Sequence, residues 1–583
     1  MFVSRLIIVT LLLCTVGRAN DPAPAPATTD PLVELAEQCA VEWQFDRLLA
    51  TVERDLQALL EDPAAADDEA IVRLAVYRQF ARFCARITEP TDQDKAAAAL
   101  LTRQPRLIRS LMLAVDGADR PDGVLAVLAG LQTDAGAHVE RAPEFISALC
   151  IVFDTDADNE DSKPQVNRAR LIYRYFTNAR SRLRFDPFDL PVALAVHVVD
   201  IRTTPDDIVW ALRRYGGRGG MVGLHGEIPY DERAFFDGDE RKIDGHEYTL
   251  ENLLKVGGIC IDQSYFASQV ARIVGVPSVV VIGQGGGGGV GHAWVGSLEL
   301  RGRQVLWNFT DGRYDAQLYY TGTVTDPQTR RSMSEGQVAM LAELHGVAPA
   351  ARHASVAIFH AHDLAPVQAR AGWLMRAIEL SPANHAAWLA LADLGATRQL
   401  DPRDMQRVAE TTRNFARGPY ADVAFAIFSK LISGLSNDEQ IREFDTLRKI
   451  FTDRKDLYAA TRVAQGRLLK TLSRDKEALA ALGDVLTNHL YAGPIVLDAL
   501  SVVEELLLPR QPQRLLAIYQ QTLANTPRPS ISAYAQQSSY VRIGMRYVEL
   551  LRAHGDERRA AIVEAQINGY PRGTGRAPAA LIY

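Results

Sequence analysis

The chain has 583 residues, 47% of them apolar and 23% charged, with a formal net charge of −7. That length exceeds what one hydrophobic core usually holds and predicts about three to four domains. The mild acidity, without any cluster of Lys and Arg, argues against a nucleic-acid-binding surface, because phosphate contacts need grouped cations.

In chain order, Arg5 precedes an apolar run over residues 6–16, and Gly17-Arg18-Ala19 follows. A basic start, a short apolar stretch and small residues before Asn20 describe a secretory signal over residues 1–19. The run is shorter than the roughly 20 apolar residues of a membrane span. The mature chain is therefore expected to be exported, periplasmic or secreted, with no stable membrane insertion; a retained anchor is the alternative. Loss of Arg5 and Arg18 with the signal takes the net charge from −7 to −9. Residues 20–30, rich in Pro and Ala, read as an extended linker.

Residues 31–178 carry apolar side chains at three- and four-residue intervals and predict a helical N-terminal domain. Cys39, Cys84 and Cys150 fall in these patterns and read as buried structural thiols, with one bridge among them left open. The acidic stretch 154–161 lacks the glycine and terminal glutamate of an EF-hand and reads as a solvated loop. Near Phe185 the texture changes. Residues 185–325 give a helical segment, a glycine turn, a helix, the β-prone run Val279-Val280-Val281-Ile282, five glycines at 285–289, and two strands flanking Arg301-Gly302-Arg303. One helix feeding adjacent strands predicts an α+β core with the helix packed on an antiparallel sheet. The glycine run is a poor phosphate cradle, because no Lys-Ser/Thr and no helix follows it.

Residues 355–570 return to helical periodicity. Ala377, Pro382, Trp388 and Leu391, and again Gly466, Leu469, Ala478 and Leu482, resemble the junctions of tetratricopeptide repeats. Small residues there let two helices approach, and large ones fill the seam. The expectation is a C-terminal α-solenoid, with an ordinary helical bundle as the alternative. Taken whole, the fold class is multidomain α and α+β.

The chemistry concentrates in the central region. Cys260 follows Gly257-Gly258 and opens a helix whose apolar face is Phe266, Val270, Ile273 and Val274, stopped by Gly275 and Pro277. At a helix N-terminus, unpaired N–H groups and the dipole favour thiolate, so a lowered thiol pKa is expected there. The same N–H groups suit a developing oxyanion. In Gly291-His292-Ala293-Trp294-Val295, strand alternation puts His292 and Trp294 on one side. The following strand holds Trp307-Asn308-Phe309-Thr310-Asp311. A carboxylate beside an imidazole would fix its tautomer; Asp311 is the first choice and Asn308 the second. Gly258, Trp294 and Asn308 are expected to support the cleft. Neither cofactor nor metal is expected.

The order GGIC, VGVPSVVVI, GHAWVG and LWNFTDG resembles the transglutaminase-like superfamily, whose logic is that of cysteine peptidases. The resemblance is strong over about 70 residues and departs at Asp311-Gly312, where the family has Asp-Pro. It implies a nucleophile, base and orienter at Cys260, His292 and Asp311. The wider stretch looks like exported bacterial proteins that join such a core to helical repeats. The implied activity is acyl transfer through a thioester on a protein or peptide amide, as hydrolysis or transamidation. The alternative is a catalytically silent exported scaffold that binds a protein partner through its helical repeats.

Overall fold

A computed structural model describes residues 30–135, 139–155, 163–218, 220–284, 291–302, 304–313, 322–529 and 535–569. The expected signal, the linker up to residue 29, the five glycines 285–289 and most of the acidic stretch 154–161 lie outside the described residues. What is described is mostly helical, with one antiparallel five-stranded sheet. Helix starts follow local chemistry. The Asp30 side chain accepts from the N–H of Leu32, ahead of Pro31 in the first turn of Pro31–Glu42. Thr91 and Asp94 cap Asp92–Thr102 reciprocally.

The strands are β1 (Ser278–Gln284), β2 (Gly291–Arg301), β3 (Gln304–Asp311), β4 (Thr323–Thr325) and β5 (Ser332–Ser334), in the order β3-β2-β1-β4-β5. Gly302 turns β2 into β3 at φ 64°, a conformation that costs glycine little. β2 lies against β1 with His292 opposite Gly283 and Trp294 opposite Val281. The helix Cys260–Ile273 packs on β1 and β2, burying Phe266, Val270, Ile273 and Val274 as the periodicity predicts. β4 and β5 carry the sheet beyond residue 325, past the expected end of the central unit.

The expected boundaries at 178 and 355 do not separate hydrophobic cores. One apolar cluster runs from Leu32 to Leu431 through the N-terminal helices, the sheet and the helices that follow Pro349. The helix Pro349–Ala361 packs on Asp68–Ala85. Nearby, buried Trp373 donates its indole N–H to the Leu60 carbonyl at 2.9 Å. Arg78, 1% exposed, joins Glu53 and Asp363, each at 2.9 Å. Further cores lie farther along, the largest built between Ala459 and Ile567. There, consecutive helices pack on one another across short turns. Ala377, Trp388 and Leu391 are buried in the helices Val367–Leu380 and His385–Ala396. A Cβ on Gly466 would stand 2.8 Å from Leu482 Cγ, so this glycine permits the close approach of Lys455–Thr471 and Asp475–Asn488.

Among the described residues, no helix is long and apolar enough to cross a membrane.

Candidate active site

Cys260 is the first residue of its helix. The turn before it is pinned on both sides. Gly257 has φ 96°, and a Cβ there would lie 2.4 Å from the Pro229 carbonyl oxygen. Gly258 donates its N–H to Pro229 and accepts from Asp231, and a Cβ on it would strike Asp262 at 2.5 Å. Gly258 fits this turn by lacking a side chain, and its N–H is already engaged. Asp262, fully buried, accepts from the Ile259 N–H, Arg241 and Tyr248 at 2.8–2.9 Å. This carboxylate fixes the start of the helix. Cys260 is 9% exposed, and the N–H groups of Ala293, Ile261 and Cys260 itself face its sulfur. Cys39, Cys84 and Cys150 are buried free thiols, so no bridge forms among them.

The sulfur thus lies beside the residue that follows His292, at the start of β2. His292 is 6% exposed, and its ring stacks on Trp294 at 6.0 Å between centroids, as alternation predicts. Nε2 of His292 lies 2.7 Å from the Gly312 carbonyl oxygen. A carbonyl only accepts, so Nε2 carries the proton and Nδ1 keeps the lone pair. Trp294 is wholly buried, donates to Glu335 at 2.7 Å and lies under the Arg313 guanidinium. It is a pillar for the histidine.

The orienting group differs from the one expected. The Asp311 carboxylate accepts from the N–H groups of Gly223 at 2.9 Å and His225 at 3.2 Å. Gly312, at φ 80°, turns the chain so that its own carbonyl reaches His292 while the Asp311 side chain holds the 223–225 loop. Asn308 is also committed elsewhere, donating to Glu299 and accepting from Thr310. It pairs with Ser297, five residues along β2 from His292, or about 16 Å at strand rise. That is too far to orient the ring.

His225 belongs to the site and has no counterpart in the sequence reading. It is 2% exposed, its ring faces the carbonyls of Ala293 and Cys260, and it meets the His292 ring edge-on at 6.2 Å. A Cβ on Gly312 would fall 2.4 Å from the His225 ring. A histidine between glycines, Gly223 and Gly226, is the only signal the sequence offers, and it is weak.

Burial dominates the electrostatics. It pushes the Cys260 thiol up to about 11, against the three N–H groups that pull it down and with the Asp262 charge raising it further. Burial also lowers His292 to about 4, the Gly312 carbonyl opposing and His225 assisting. His225 falls to about 4 for the same first reason. The lowered thiol pKa expected from the helix N-terminus is thus reversed: desolvation of a charged sulfur outweighs the helix end. The resting pair is a neutral thiol and a neutral imidazole.

Comparison of the chain with models of protein families and with curated protein sequences returns no match. The chemical reading rests on the geometry: a thiol at a helix start, an imidazole whose Nε2 is held by the Gly312 carbonyl, and N–H groups facing the sulfur.

Proposed function

We propose that the chain is a transglutaminase-like cysteine enzyme acting on protein or peptide amides, with Cys260 as nucleophile and His292 as base. The single observation that carries this reading is the hydrogen bond from His292 Nε2 to the Gly312 carbonyl. It selects the tautomer whose Nδ1 can take a proton, on the histidine whose chain neighbour Ala293 turns its N–H to the Cys260 sulfur. As the thiol attacks the amide carbonyl, its proton passes to His292 Nδ1. The C–S bond forms and the carbonyl oxygen becomes an oxyanion beside the N–H groups of Cys260 and Ile261. His292 then protonates the departing amine, the C–N bond breaks, and a thioester remains. Water or an amine resolves it. Hydrolysis is the favoured outcome of the two. In this reading residues 185–325, with β4 and β5, are the catalytic core, and the helices after Pro349 are a tetratricopeptide-like array that presents or recognises a protein. The chain works after export.

Incubating the protein with a glutamine-containing protein and a fluorescent amine, and scoring incorporation against ammonia release, tests the proposal. Either product should vanish in Cys260→Ala and fall by about 10²–10⁴-fold in His292→Ala. Equal product from wild type and both variants overturns it. A second reading, a silent scaffold, is favoured by the buried thiol and its raised pKa. It requires that neither product form with any substrate tried, and that the helical array still capture a partner.

A further inference from the structure

Strand β3 stops short of the site. Its pairing with β2 begins at Val295, opposite Asp311, so Ala293, two residues earlier on β2, lies beyond that pairing. In a strand, the N–H and C=O of one residue point to the same side. Here two side chains meet them: the Ala293 N–H faces the Cys260 sulfur, and the Ala293 carbonyl lies 3.3 Å from His225 Nε2. A carbonyl only accepts, so this Nε2 carries the proton. The same ring faces the Cys260 carbonyl, and the backbone N–H of His225 donates to Asp311 at 3.2 Å. Gly312 leaves the ring its room, since a Cβ there would lie 2.4 Å away. One side chain, 2% exposed, therefore meets the start of the Cys260 helix, the strand of His292 and the turn that orients His292.

We propose that His225 is a positioning residue: its Nε2–H takes the place that a longer β3 would fill and holds Ala293, so that the Ala293 N–H stays on the Cys260 sulfur and the neighbouring His292 stays in register. Without that donor the Ala293 carbonyl loses a buried partner, and the end of β2 is released. The ring does this as a neutral group, because burial holds it at about 4. It therefore sets no positive charge against the imidazolium that His292 forms in the proposed reaction. The inference deepens the reading of Cys260 as nucleophile and His292 as base. It rests on that reading for turnover, though not for the placement of the sulfur.

The test compares His225→Gln with His225→Met in the full chain. The two side chains have nearly the same length and shape, and only Gln offers an N–H at the reach of Nε2. In His225→Met, kcat read as ammonia release should fall by about 10²-fold, with KM within about twofold of the wild type. In His225→Gln it should fall by less than about tenfold. Iodoacetamide labelling of Cys260 at pH 9 reads the same placement without turnover. Loss of an N–H from the sulfur should slow labelling by about tenfold in His225→Met, while His225→Gln stays near the wild type. His225→Asn, whose N–H falls short of Nε2, replaces the Met variant if that chain does not fold, and should behave as it does. Equal labelling of the Gln and Met variants, or faster labelling in both, means a ring that only fills space and overturns the proposal. If the wild type shows no turnover while the labelling difference holds, the enzymatic reading fails and the placement stands. Turnover in the wild type with Gln and Met variants alike sinks the placement alone.

Discussion

Two opposing influences meet on the Cys260 sulfur. Three N–H groups favour thiolate, while burial and Asp262 disfavour it, and the thiol ends at about 11. Iodoacetamide labelling of Cys260, read against Cys260→Ser, should therefore keep rising with pH through 9 and 10. A plateau below pH 7 would mean that a thiolate–imidazolium pair already exists. In the proposed reaction the proton passes to His292 during attack, so His292→Ala should lower turnover by about 10²–10⁴-fold, measured as ammonia release. Cys260, His292 and Trp294 were legible in the sequence because a helix start and a two-residue alternation are local patterns. The orienting group was not legible. Whether Asp311 or the next carbonyl reaches the ring depends on the positive φ of Gly312, and His225 meets Ala293 across 68 residues. Asp311→Ala strips the acceptor from two loop N–H groups and should cost about 1–3 kcal/mol. Asp311→Asn keeps an acceptor and should cost less. Thermal unfolding of the two variants checks the order.

At the scale of elements, glycines decide how closely segments meet. The helix His385–Ala396 touches the short turn Ile432–Gly434 backbone to backbone: a Cβ on Gly434 would lie 2.0 Å from the Gly395 carbonyl oxygen. A carbonyl cannot rotate away, so Gly434→Ala should cost about 1–3 kcal/mol of overpacking. Gly466→Ala meets only Leu482, a side chain that can shift, and should cost less. Urea midpoints of the two variants compare them. The hairpin of β2 and β3, the stop at Gly275 and the helix that Cys260 opens all followed from propensity and periodicity. β4 and β5, three residues each, are too short to show a period, and they exist only because β1 offers an edge to pair with. Gly466 was legible for the opposite reason: a seam between helices demands a small residue at a fixed spacing.

Across the whole molecule, the shared core means that distant segments hold one another, and several do so through buried ionisable groups. Asp119, 1% exposed, accepts from Gln328 at 2.8 Å, tying a loop among the N-terminal helices to the turn between β4 and β5. Burial first, with Asp154 and Asp116 adding, raises Asp119 to about 7 despite its two hydrogen bonds. Its folded value exceeds its unfolded one, so its contribution to stability is present at low pH and is lost as pH rises through about 7. Buried His197, His225 and His292 act with the opposite sign. Burial holds each at about 4, so below the ordinary value of about 6.5 the unfolded chain binds protons that the folded one refuses. Each histidine withdraws up to about 3 kcal/mol as pH falls from 6.5 to 4. Asp119 partly offsets that loss, which makes the balance testable by removing it. In Asp119→Asn the histidines act with less opposition, and the melting temperature should fall more steeply between pH 7 and pH 4 than in the wild type. Parallel profiles would mean that Asp119 ionises in the folded chain as it does in the unfolded one, and that the contact with Gln328 holds a charged carboxylate.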